Sequence, residues 1–245
     1  MSRPAPEVEW VDRIPSTMDL LHQRAADGAA AGTAIAAREQ TGGRGSRGRA
    51  WRSPLGGLWL SVLFRPRTPA GIELLSLRIG LAVARTLEEL GVEPRVYLKW
   101  PNDLILEERK VGGILCEARW QGPAVGWVVA GLGLNVDNRV PPDFVASATA
   151  LSRHRARRRL SPEALARPVV EVLRGIDPSA GPLTAGELSQ YRERDWLRGK
   201  PLRAPVAGIV AGIGADGALL VHRPDGATTV VRAGGFELAE TAGEA

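Results

Sequence analysis

Four short apolar runs, Arg95–Trp100, Leu104–Leu106, Val111–Trp120 and Val125–Gly131, are separated only by Pro-Asn-Asp, Glu-Glu-Arg and Gln-Gly-Pro. Turn formers this close together leave no room for crossover helices, so the runs must pair as an antiparallel meander. Two further runs, Thr33–Gln40 and Gly57–Phe64, read as strands on either side of a Gly/Arg-rich segment. Helical spacing places Ile72, Leu75, Ile79, Val83, Leu87 and Leu90 on one face of a helix that stops at Gly91. Ser16-Thr17-Met18-Asp19 reads as the capped start of a helix that stops at Gly28. Ser161-Pro162 opens another, running to about Gly175, and Thr184–Leu197 is a last candidate. Arg153–Arg159 reads as a basic loop. Beyond Trp196 the runs Val206–Ile213, Ala218–His222 and Thr228–Val231, broken by Asp-Gly and Pro-Asp-Gly, predict a small antiparallel barrel or sandwich. We therefore expect an α+β body over residues 1–194 and an all-β module over 195–245, with no internal repeat.

Composition excludes several classes. With 245 residues, 44% hydrophobic and 24% charged, the chain can build a core, and no apolar run is long enough for a membrane span. Residues Met1–Trp10 lack the apolar stretch of a secretory signal. The single cysteine, Cys116, rules out an intramolecular disulfide or a cysteine metal cluster and suits a reducing cytoplasm. A net charge of +5 and a pI near 10.1 fit either a polyanionic partner or an arginine-rich genomic composition. The only lysines are Lys99, Lys110 and Lys200, two of them inside the densest run of motifs.

Four segments could carry chemistry. In Thr41–Trp51, Gly42, Gly43, Gly45 and Gly48 allow close backbone approach, Arg44, Arg47 and Arg49 offer forked donors, and Trp51 offers a flat face. An anchored loop for a phosphate and an acid fits better than a flexible RGG-like RNA segment, and the spacing is not that of a P-loop. Lys99-Trp100-Pro101-Asn102-Asp103-Leu104 is a tight turn, with Lys99 and Asp103 as either ligand groups or a surface ion pair. Arg109-Lys110-Val111-Gly112-Gly113-Ile114-Leu115 could set an ammonium beside an anion, or be a solvated lysine before a bulged core strand. Gly131-Leu132-Gly133-Leu134-Asn135-Val136 fits close approach to a nucleotide, or a plain β-turn.

The four segments in this order resemble the biotin–protein ligases, also called biotin–acetyl-CoA-carboxylase ligases. Ser16-Thr17, Gln40 and Gly234-Gly235-Phe236-Glu237 extend the resemblance over nearly the whole chain. It implies a core like that of class II aminoacyl-tRNA synthetases, a mixed sheet with helices on one face, plus an SH3-like C-terminal module. It also implies a two-step reaction. The biotin carboxylate attacks the α-phosphate of MgATP, and a carrier-domain lysine then takes the biotinyl group from biotinyl-5′-AMP. By position, Ser16, Thr17, Met18, Gln40, Gly43, Arg44, Gly45, Ser46, Lys110, Gly112 and Gly113 are expected around biotin. Arg47, Arg49, Trp51, Asn102, Lys110 and Asn135 are expected around the nucleotide. Lys110, Arg44, Arg47 and Arg49 are expected to supply catalytic charge. Magnesium should come with ATP and not in a dedicated protein cage.

Two residues depart from the family pattern. Ser46 stands where bacterial relatives often carry arginine, and Met18 where asparagine is usual after Ser-Thr. With about fifteen residues before Ser16, a winged-helix DNA-binding domain is not expected. The expected partner is the biotin carboxyl-carrier domain of a carboxylase, with no DNA and no membrane, the enzyme being cytoplasmic and a monomer or homodimer. The competing readings are a lipoate- or octanoate-type protein ligase and, from another class, a basic nucleic-acid-binding protein.

Overall fold

A computed structural model describes residues 7–156, 159–232 and 236–239. In chain order the elements are β1 (Glu9–Ile14), α1 (Thr17–Ala26), β2 (Ala34–Gln40), β3 (Leu58–Phe64), α2 (Leu75–Glu89), β4 (Val92–Glu93), β5 (Tyr97–Lys99), β6 (Asp103–Leu106), β7 (Arg109–Gln121) and β8 (Ala124–Leu134). They continue as β9 (Arg155–Ala156), α3 (Pro162–Arg174), α4 (Ala185–Arg192), β10 (Pro201–Ala204), β11 (Gly208–Ile213), β12 (Leu219–His222), β13 (Thr228–Val231) and β14 (Glu237–Leu238). The main sheet has seven strands in the order β1-β2-β3-β8-β7-β6-β5. Only β1, against β2, pairs in parallel. The expected meander is β5 to β8.

The sheet's two faces are covered unequally. On one face, Ala34, Ala36, Leu58, Leu60 and Val62 pack against α2 and α3 in the main core. On the other, Ile35, Leu63 and Val129 pack under Met18, Leu21 and Ala25 of α1. Strand β3 is buried on both faces, which is why it reads as an unbroken apolar run. The expectation of helices on one face is therefore corrected: α1 covers part of the second face and leaves the rest open.

Several predicted boundaries move. The helix predicted from Ile72 is preceded by a 3₁₀ turn, Pro69–Leu74, and becomes α-helical only at Leu75. Gly71 sits so close to the 178–180 backbone that an added Cβ would lie 2.3 Å from the Ala180 carbonyl oxygen. The last predicted helix ends at Arg192, not Leu197, because Leu98 pairs with the chain there. Leu98 N–H donates to the Arg194 carbonyl at 2.7 Å and Trp196 N–H to the Leu98 carbonyl at 3.0 Å. The predicted basic loop includes β9, paired with β4, while residues 157 and 158 lie outside the described residues. Gly28 and Gly91 take positive φ at the helix ends, +90° and +89°, as read from sequence.

The C-terminal module is an antiparallel sheet of five strands in the order β13-β12-β11-β10-β14, in keeping with the SH3-like expectation. Gly234 and Gly235 of the motif assigned to it lie outside the described residues. Its Leu202, Val210, Leu219 and Val221 join the main core. The Trp100 indole N–H donates to the Gly217 carbonyl at 2.9 Å across this junction. Among the described residues no helix is long and apolar enough to cross a membrane.

Candidate active site

The open part of the second sheet face forms a cavity of about 610 Å³. Its floor is made of glycines. Gly113 of β7 pairs with Gly133 of β8, and Leu115 with Gly131, so these positions share one face. The missing side chains are replaced by two residues from elsewhere. A Cβ on Gly133 would lie 2.6 Å from Trp51 Nε1, and one on Gly131 would lie 2.7 Å from Met18 Sδ. The indole therefore lies directly on the strand. Here Gly131–Leu134 form the end of β8 and Asn135 follows it directly, so the motif is not the β-turn that it resembles in isolation.

The Gly/Arg segment is closed by its own backbone. Arg44 bridges Ala50, Gly45 N–H donates to the Arg49 carbonyl at 2.8 Å, and Trp51 N–H to the Gly43 carbonyl at 2.9 Å. Gly43 fits because any Cβ would lie 2.5 Å from the Trp51 carbonyl oxygen. Arg47 takes φ +61° at the loop's tip. Ser46 accepts from Arg49, Nη2 to Oγ at 3.4 Å.

One end of the cavity gathers hydroxyls and an amide. Gln40 Oε1 accepts from Thr17 N at 2.8 Å and from Thr17 Oγ1 at 3.0 Å. Thr17 Oγ1 lies 2.8 Å from Ser61 Oγ, and Gln40 Nε2 donates to Ser53 Oγ at 3.0 Å. Ser16 stands at the N-cap of α1 without capping it; its Oγ accepts from Arg44 Nη1 at 3.2 Å instead. The other Arg44 donors face Glu117, at 2.8 and 3.1 Å, and Asp19, at 2.9 Å. The hydrogen bond to Glu117 raises the Arg44 pKa further above its ordinary value and holds the Glu117 carboxyl below its own.

The middle of the cavity holds Lys110. Its Nζ donates to Asp103 Oδ1 at 2.5 Å and lies 5.0 Å from the centre of the Trp51 ring. Asp103 thus pairs with Lys110 and not with Lys99. Burial lowers the Lys99 pKa, and its Nζ rests 4.9 Å from the Trp196 ring and 5.3 Å from the Phe236 ring. Lys200 Nζ lies 3.3 Å from the centre of the Trp196 ring and pairs with Glu108, so it stands behind the cavity wall that Lys99 and Lys110 line. Two expected nucleotide residues are tied to the backbone. Asn102 Nδ2 donates to the Ile114 carbonyl at 2.7 Å, and Asn135 Nδ2 to the Thr149 carbonyl at 3.0 Å. Asn135 Oδ1 also accepts from Asn138 at 3.0 Å. The Asn135 amide thereby organises the 136–150 segment, whose Phe144 and Ser147 form part of the wall.

Ser16, Thr17, Met18, Gln40, Arg44, Gly45, Ser46, Arg49, Trp51, Asn102, Lys110, Gly113 and Asn135 all line this one cavity. The exceptions among the expected residues are Gly43, Arg47 and Gly112. Gly43 is packed against Ser53 and Trp51, and the Arg47 side chain is exposed at the loop tip. Gly112 faces the main core, where an added Cβ would lie 2.9 Å from Leu104 Cδ1. Sequence reading missed Ser61, Glu117 and His22. A lone serine in an apolar strand, or a glutamate in a half-exposed one, carries no local signal of a site.

A family model for the biotin/lipoate A/B protein ligase family matches residues 10–135. Among curated proteins, a biotin–[acetyl-CoA-carboxylase] ligase of Mycobacterium tuberculosis is 34% identical over 250 residues, covering 93% of this chain and 87% of that protein. The bifunctional ligase/repressor BirA of Escherichia coli is 34% identical over 200 residues, covering 78% of this chain. This chain spans 62% of that longer relative. Among solved structures, a biotin protein ligase from Aquifex aeolicus in complex with biotin and ATP superposes with a TM-score of 0.79 at 27% identity, covering 96% of this chain and 99% of that one. With the family model matching more than half of the chain and the core motifs meeting in one cavity, the chain belongs to the biotin/lipoate A/B protein ligase family.

Proposed function

We propose that the protein is an ATP-dependent ligase that activates biotin as biotinyl-5′-AMP and transfers the biotinyl group to a lysine of a carboxyl-carrier domain. The observation that carries this reading is the cavity's polarity. Hydroxyls and an amide from Ser16, Thr17, Gln40 and Ser61 crowd one end, and Lys110 with Trp51 stands at the middle. A ureido ring can trade hydrogen bonds with such an end, whereas a dithiolane or an alkyl chain offers these groups nothing beyond the bonds they already make to one another. The names of the relatives point the same way.

The chemistry asks mainly for charge and position, since both reactants of the first step are anions. The biotin carboxylate oxygen bonds to the α-phosphorus as the bond to pyrophosphate breaks. Lys110 lies where it can leave Asp103 and bridge carboxylate and phosphate. Trp51 offers adenine a flat face, and Arg49 adds charge at the wall. In the second step an uncharged carrier lysine attacks the acyl carbon, AMP leaves with the electron pair, and the new amide loses a proton. Magnesium supplies charge neutralisation with the phosphates of ATP. We assign the metal to the nucleotide, whose phosphates are its natural ligands.

We take the catalytic unit as residues 1–194 and the SH3-like unit as 195–245, acting in the cytoplasm as a monomer or homodimer on a biotin-dependent carboxylase. The test is ATP–pyrophosphate exchange. It should depend on biotin and not on lipoate, and Lys110→Ala should lower it by about 100-fold or more, the scale for removing one charge-stabilising donor. Lipoate-dependent exchange would replace biotin with the other acid of the family; full activity in Lys110→Ala would remove the central assignment.

A further inference from the structure

A line of polar contacts runs beneath the cavity wall and ends on the Gly/Arg loop. The Trp127 indole, on β8, donates to His22 Nδ1 at 3.0 Å. An indole nitrogen only donates, so Nδ1 accepts, and the neutral ring must carry its proton on Nε2. That proton faces Glu117 Oε2 at 3.1 Å. Burial, and then the nearby Arg119, lower the His22 pKa and favour this neutral form. Glu117 then grips Arg44 with both oxygens, and Arg44 reaches Ser16 and Asp19 at the start of α1.

We infer that Arg44 acts as a strap rather than as a charge donor to the ligand, and that Glu117 and His22 are the residues that position it. The count of donors carries the point. Nε and Nη2 donate to Glu117 and Nη1 to Ser16, and Nη2 also lies 2.9 Å from Asp19 Oδ1 in an ion pair, so each of the three nitrogens already has a partner within the protein. Two carboxylates already balance its charge. The strap fixes three things to one another: the loop at Arg44, strand β7 at Glu117 and the first turn of α1. That first turn carries Ser16 and Thr17, so the strap sets the polar end of the cavity. Glu117 itself does not line the cavity, whose β7 residues end at Leu115. It therefore acts through Arg44 and is a positioning residue, as is His22.

This inference rests on the biotin reading only for the choice of substrate. Glu117→Gln keeps the shape and one acceptor but removes the charge that grips Arg44. In ATP–pyrophosphate exchange it should raise KM for biotin about tenfold, the scale of one weakened charge-assisted hydrogen bond. KM for ATP should change by less than about twofold, because the strap ends on Ser16 at the polar end of the cavity and not on the Trp51 ring. In an Arg44→Ala background, Glu117→Gln should cost nothing further. Glu117→Asp, which can still grip one nitrogen, should recover part of the loss. Separately, trypsin should cut after Arg47 or Arg49 faster in Glu117→Gln and His22→Leu than in the wild type, at equal thermal stability. A biotin KM within twofold of wild type, or full additivity with Arg44→Ala, would overturn the strap. If the wild type shows no biotin-dependent exchange, the functional reading fails, and the trypsin comparison decides the strap by itself: unchanged cleavage refutes it.

Discussion

Adding one methyl group to the cavity floor should move Trp51 and little else. Gly133→Ala is the test. Its φ is not in the left-handed region, so alanine is tolerated by the backbone. The new Cβ would lie 2.6 Å from Trp51 Nε1, 2.7 Å from Cε2 and 3.1 Å from Cζ2. Ordinary contact needs about 3.5 Å or more, so the indole must rise from the strand by about 1 Å. It can do so, because above it is cavity and not packed core. The fold should therefore survive, with a melting temperature within a few degrees of wild type. The nucleotide site should not. Base–aromatic stacking is worth about 1–3 kcal/mol, so losing the platform should raise KM for ATP by about 5- to 150-fold. The assay is ATP–pyrophosphate exchange with ATP and biotin varied in turn, biotin KM changing much less. In a Trp51→Ala background the same substitution should be nearly neutral, since the group it displaces is gone. An ATP KM within twofold of wild type, or an effect of Gly133→Ala that persists without Trp51, would refute the platform.

Three further outcomes are expected. Ser46→Arg should slow release of biotinyl-5′-AMP by about tenfold or more, the value of one added charge-assisted hydrogen bond; equal release rates would show that the side chain at this position does not hold the intermediate. Asp195, buried with Oδ2 unpartnered, has its pKa pushed up by burial to about 6. Above its ordinary 3.8, the folded protein holds this proton more tightly than the unfolded chain, so stability falls as pH rises from about 4 through 6. Asp195→Asn should remove that fall, a difference of up to about 3 kcal/mol at pH 8 read by denaturant melts; parallel pH profiles would contradict it. Finally, biotin with ATP should protect residues 42–50 from trypsin, and equal digestion with and without ligand would count against ordering of the loop.

Much of the candidate cavity's lining was legible because it is built from residues with few other uses. A Gly/Arg loop ending in tryptophan, and lysines in an arginine-rich chain, stand out without any structure. The meander was legible from its turns. What was not legible depends on pairing across the fold. Strand β1 was missed because Glu9–Ile14 is a half-exposed edge with no clean alternation. Arg44 reads the same from sequence whether it faces a phosphate or a glutamate seventy-three positions away, and only the packing of β7 beside the loop decides. Gly112 and Gly113 look alike in sequence, yet one faces core and the other cavity, because strand neighbours alternate.

The glycine floor has a consequence for anyone who tries to make this protein hardier. Glycine inside a strand gives up roughly 0.5–1 kcal/mol to alanine, so Gly113, Gly131 and Gly133 are the obvious positions for a thermostability screen to replace. Each replacement would push a side chain into the cavity proposed to take the substrate: Trp51 from Gly133, Met18 from Gly131 and Lys110 from Gly113. Selection for heat resistance alone would thus close the cavity. Robustness and turnover compete at these three residues, and the α2/α3 side of the sheet is where the first can be improved without loss of the second.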